Sequence, residues 1–98
     1  MVLTEIDVLW NALTEIRGGH LPDTVVKLDI SGNQMKSVPD LSHLSLTKLL
    51  AFDNALTEVR LKNLPMTLKY LEIEGQNIPC EKLKQTFKNT EVDCFSYR

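Results

Sequence analysis

At 98 residues, 43% hydrophobic and 24% charged, the chain is long enough for one small domain and short for a self-sufficient central core. Its net charge of −2 and pI near 5.6 exclude the basic footprint that nucleic acid or an anionic membrane surface requires. No apolar stretch is long enough to suggest a transmembrane span, and Met1-Val2-Leu3-Thr4-Glu5-Ile6-Asp7 lacks the basic start and apolar run of a signal peptide.

The first predicted strand lies in a segment that begins at Leu3 and places Ile6, Val8, Asn11, Leu13 and Ile16 at fixed intervals. Gly18-Gly19 marks a bend, and Leu21-Pro22-Asp23-Thr24 is expected to be extended, because proline fixes φ and removes a donor. A second segment begins at Val25 and repeats the pattern with Leu28, Ile30, Asn33, Met35 and Val38. Val38-Pro39 closes it, and Asp40 to Leu44 has room for a single helical turn. The third segment begins at Leu46, with Leu49, Ala51, Asn54, Leu56 and Val59. After a second proline stretch, Leu64-Pro65-Met66-Thr67, also expected to be extended, the fourth begins at Leu68, with Leu71, Ile73, Gln76 and Ile78. The starts are 22, 21 and 22 residues apart, and of twenty apolar places only Glu81 departs.

In each segment the apolar-x-apolar part predicts a short strand with alternate side chains inward and outward. Equal spacing stacks these strands in parallel. Asn11, Asn33 and Asn54, three residues beyond the last inward strand position, should turn inward and satisfy backbone groups in the bend. Gln76 takes that place in the fourth segment, where the turn is expected to be irregular. Pro79 then opens a short helix with Cys80, Leu83 and Phe87 on one face and Asn89 as its stop. Glu91 to Phe95 restores the strand pattern with Val92 and Cys94 inward, so that 79–98 forms a cap on the C-terminal side.

Read as L-x-x-L-x-L-x-x-N-x-L-x-x-L, the four segments resemble the leucine-rich repeat. Leu21-Pro22-Asp23-Thr24-Val25-Val26-Lys27-Leu28-Asp29-Ile30-Ser31-Gly32-Asn33-Gln34-Met35-Lys36-Ser37-Val38-Pro39 is similar to the short bacterial type found in effectors delivered into host cells. The resemblance implies an α/β solenoid, a single domain over 1–98, with a parallel sheet of about five strands on its concave side and a mostly irregular convex side. It also implies protein binding through that sheet, by an inhibitor, effector or adaptor, and it allows delivery into a host cell. Stacked edges let so small a chain bury apolar surface without a central core.

Outward strand positions define the candidate surface. In rows across the sheet they are Glu5, Lys27, Lys48, Tyr70 and Glu91; Asp7, Asp29, Leu50, Glu72 and Asp93; and Leu9, Ser31, Phe52, Glu74 and Phe95. Seven acids and two lysines give this face −5, leaving +3 for the rest of the chain. Leu50, Phe52 and Tyr70 on neighbouring strands read as an apolar centre with a charged rim, the anatomy of a protein-binding hot spot. The partner-binding candidates are therefore Leu9, Asp29, Leu50, Phe52, Tyr70, Glu72, Glu74 and Phe95, facing a protein with a basic surface. Trp10 is either an added contact or a lid over the first coil.

Nothing points to catalysis, a metal or a cofactor. His20 and His43 lie in separate loops, Ser31-Gly32-Asn33 is a corner rather than a nucleophile elbow, and Glu72 with Glu74 are explained as exposed strand positions. Cys80 and Cys94 read as two small buried hydrophobes in preference to a disulfide or a metal pair. With no glycosylation sequon, the chain is expected in the cytoplasm or nucleus. A different role, as a structural subunit, would use the first strand, whose outer edge nothing in the sequence covers: it would pair with a second copy into a homodimer.

Overall fold

The computed structural model describes Glu5–Asp7, residues 21–76 and residues 78–97. Among them run five strands, β1 (Glu5–Asp7), β2 (Lys27–Asp29), β3 (Lys48–Leu56), β4 (Tyr70–Gln76) and β5 (Glu91–Tyr97), with one short helix, α1 (Cys80–Thr86). The chain is α/β: its strands form one sheet in the order β1-β2-β3-β4-β5, each paired in parallel with the next. Glu5 lies beside Lys27, Lys27 beside Lys48, Lys48 beside Tyr70 and Tyr70 beside Glu91, at intervals of 22, 21, 22 and 21 residues. The remainder of the first segment, with Leu9, Trp10, Asn11 and the Gly18-Gly19 bend, lies outside the described residues.

Alternation puts the apolar side chains on one side of this sheet. Leu28, Leu49 and Leu71 form one row at 0% exposure, and Ile30, Ala51 and Ile73 form the next at 0%. Val25, Leu46 and Leu68 lead into the strands as a third buried row. Leu41, Leu44, Leu64, Leu83 and Phe87, from the returning segments, close the core from beneath. Fully burying a leucine or isoleucine side chain stabilises by about 1.5–3 kcal/mol, so these rows are the main source of stability.

The turns carry the backbone accounting. Asn33 Nδ2 donates to the Ile30 carbonyl at 2.8 Å and to that of Ser31 at 3.3 Å. Asn54 Nδ2 reaches the same Ile30 carbonyl at 2.9 Å and that of Phe52 at 3.2 Å, while its Oδ1 accepts from Met35 N at 3.1 Å. One asparagine thus holds together two successive turns. Just before each lies a residue in the left-handed region, Gly32 at φ 75° and Asp53 at φ 55°. Threonines add rungs elsewhere, Thr67 Oγ1 to the Leu46 carbonyl and Thr90 Oγ1 to that of Leu68, both at 2.6 Å.

Three expectations are corrected. The proline stretches are turns rather than extended: the Pro22 carbonyl accepts from Val25 N at 3.1 Å and the Pro65 carbonyl from Leu68 N at 3.4 Å. Val25 and Leu68 are buried at 0% and 2% exposure, so their amides need a partner inside the protein, and the tight turn supplies it. At Gln76, where an irregular turn is expected, the fourth segment is not yet turning, and Asn77 lies outside the described residues. Instead β4 continues to Gln76 and pairs with β5 as far as Tyr97. On its other side β3 accommodates a register shift between Ala51 and Leu56, which brings Leu56 beside Gly75. A Cβ on Gly75 would stand 2.5 Å from the Leu56 carbonyl oxygen, so only glycine fits there.

The third correction concerns the cysteines. Cys80 and Cys94 form a disulfide, with their Cα atoms 5.7 Å apart. Its cause is positional, since α1 packs against β5 and sets Leu83 (0% exposed) and Phe87 (3%) into the core, directing Cys80 at the inward side of β5. The bridge ties the helix to an outer strand whose inward residues Val92 and Cys94 are only half-buried. Disulfides are rare in reducing compartments, so the cysteines no longer argue for an intracellular site. Among the described residues the returning segments are otherwise irregular, apart from a 3-10 turn at Leu61–Asn63.

Candidate functional site

The outward rows come together as the spacing predicts. Asp29, Leu50, Glu72 and Asp93 are direct cross-strand neighbours, as are Lys27, Lys48, Tyr70 and Glu91. Leu49 and Ala51 are buried while Leu50 and Phe52 are half-buried, so the third segment has the expected register. Leu9 falls outside the described residues.

The side chains do not group as expected, however. Leu50, Phe52 and Tyr70 are each half-buried rather than fully open, and the ring contact joins Phe52 to Phe95 instead, with centroids 6.4 Å apart and planes tilted by 42°. Those phenylalanines stand on β3 and β5, two strand spacings or about 9.6 Å apart at the backbone. The rings therefore lean toward each other across β4. Glu74, half-buried, is the β4 residue paired directly with Phe95 and lies in the row between the two rings. Phe95 itself is 60% exposed, which makes it the open end of the cluster.

Tyr70 belongs to a different group. Its hydroxyl donates to Glu72 Oε1 at 2.8 Å, and Lys48 Nζ lies 5.2 Å from its ring centroid. The hydrogen bond to Glu72, then desolvation and the charges of Glu72, Asp93 and Glu91, push the phenol from 10.0 up to about 12. Asp29 is also engaged, accepting from Ser31 N at 3.0 Å, while Ser31 Oγ accepts from Phe52 N at 3.0 Å. Asp29 thus holds the end of β2 through one of its carboxylate oxygens. Leu50 lies between Asp29 and Glu72 as an apolar step in an acidic row.

A second apolar feature lies among the returning segments. Leu44, Leu61, Leu64, Pro65 and Met66 line a hollow of about 510 Å³ with Lys62 at its rim, and Met66 is 70% exposed. It was missed in the sequence, although an apolar residue following the proline of a tight turn has no route to the core. Among the described residues no group of three or more His, Cys, Asp or Glu side chains could hold a metal ion, and no helix is long and apolar enough to cross a membrane. Comparison with protein-family models, curated proteins and solved structures found no match to this chain.

Proposed function

We propose that the protein is a small leucine-rich repeat solenoid whose concave sheet binds another protein. Support for the solenoid lies in the regular interval between paired strands and in the Asn54 bridge between turns. The observation that carries the binding role is the sheet face itself. It sets the Phe52–Phe95 contact and the Tyr70 group among the carboxylates of Asp29 on β2, Glu72 and Glu74 on β4, and Glu91 and Asp93 on β5. An aromatic centre with a charged rim is the composition of an interaction hot spot, and the acidic balance favours a basic partner.

The test is affinity capture from the source cell with the wild-type chain and a Phe52→Glu control, followed by calorimetry on the captured protein. A one-to-one complex weakened at least 30-fold by Phe52→Ala, with the fold retained, supports the reading. A complex indifferent to Phe52 and Phe95 would reject the sheet face. Self-assembly is a second reading, favoured by the positions of β1 and β5 at the two outer edges of the sheet. Light scattering separates it, since a Thr4→Pro chain should then lose its dimer.

A further inference from the structure

We infer that the Phe52–Glu74–Phe95 group is a seat for one cationic side chain, an arginine guanidinium, presented by the protein that binds the sheet face. The inference rests on that face being the binding surface and names the chemistry it reads. Glu74 is half-buried in the row where two phenyl rings lean together, yet no hydrogen bond or ion pair reaches it from the described residues. Its neighbours on the face are already engaged. Glu72 accepts from Tyr70, Asp29 accepts from Ser31, and Lys48 lies over the Tyr70 ring. Tyr70 is four residues before Glu74 on β4, roughly 13 Å along the strand, so Lys48 held there cannot neutralise it.

A carboxylate without a partner among the described residues, one strand from an exposed aromatic ring, is complementary to a cation. The rings lie 6.4 Å apart, too close to sandwich a planar group between them. The cation must instead meet the rings from the solvent side, against the exposed part of Phe95 and over the Glu74 position. A group within about 6 Å of the Phe95 centroid gains the cation–π attraction. From there it reaches Glu74 on the adjoining strand, about 4.8 Å away at the backbone. Guanidinium fits better than ammonium: it is planar, weakly hydrated, stacks on aromatic faces and meets a carboxylate with paired donors. A bare metal ion is not the occupant, because no cluster of three ligating side chains exists among the described residues.

The experiment is an NMR titration of the full chain with a capped glycine–serine peptide bearing one central arginine, and with the same peptide carrying neutral citrulline instead. Saturable shifts at Phe52, Glu74 and Phe95, at least tenfold weaker for citrulline and for Glu74→Gln, are expected. Glu81→Gln removes the same charge from the exposed side of α1, away from the face, and should leave the Kd within twofold. Equal weakening by the two glutamine variants, equal binding of the two peptides, or no saturable shift would each overturn the seat. A captured partner that depends on Phe52 but tolerates Glu74→Gln removes the seat and leaves the binding face. One indifferent to both substitutions removes the face as well.

Discussion

Asn33 and Asn54 share one acceptor, and that makes their combined removal a sharp test of the turn architecture. Asn54→Ala deprives Met35 N, in a residue 1% exposed, of its acceptor, and takes one donor from the Ile30 carbonyl. An unsatisfied buried group costs about 1–3 kcal/mol. The Ile30 carbonyl keeps Asn33, so the expected loss is dominated by Met35 N, at about 2 kcal/mol. In a domain of this size that lowers Tm by roughly 8–16 °C. Asn33→Ala leaves the Ile30 carbonyl its bond from Asn54, so that acceptor stays satisfied in either single variant. In the double variant the Ile30 carbonyl, in a residue 0% exposed, loses both donors. Its cost should exceed the sum of the single losses by on the order of 1 kcal/mol. Asn63→Ala is the control, since it removes one long bond of 3.4 Å to the Val38 carbonyl. Urea melts followed by circular dichroism give all four values. Additivity within about 0.5 kcal/mol, or an Asn63→Ala loss equal to that of Asn54→Ala, would refute the shared acceptor.

Gly75→Ala should destabilise by about 1–3 kcal/mol, because the new methyl meets Leu56 backbone at 2.5 Å; a neutral result in thermal melts would show that β3 can move aside. Breaking the Cys80–Cys94 bridge by reduction or by paired serine substitution releases cysteines 14 positions apart. That loop corresponds to about 3 kcal/mol of stability, and an unchanged denaturation midpoint on reduction would show that the bridge does not constrain the cap. Tyr70 should titrate near 12 in ultraviolet absorbance, with Glu72→Gln bringing it back toward 10.0. Because the folded pKa is raised above the unfolded one, this hydrogen bond stabilises below about pH 10 and its contribution is lost as pH rises toward 12. An unchanged titration in Glu72→Gln would assign the shift to another cause.

The sequence by itself determined where strands begin, which side chains turn inward and where α1 starts. Periodicity is a local property: alternation sets the face of each side chain, and equal spacing brings Lys27, Lys48 and Tyr70 side by side. Asn33 and Asn54 were legible for the same reason, since a bend after a buried strand must satisfy its own backbone. What periodicity does not carry is how neighbouring side chains divide among partners. Phe52 leans across β4 to Phe95 rather than joining Leu50 and Tyr70, because Tyr70 is drawn to Glu72 and Lys48. The disulfide likewise depends on the angle at which α1 packs beneath β5, which spacing along the chain does not specify. Strand persists at Gln76 because β5 offers β4 seven consecutive backbone partners, from Tyr70 to Gln76, and pairing satisfies those groups. Faces are written in the local pattern, whereas contacts within a face are decided by competition among side chains that only the folded sheet brings within reach.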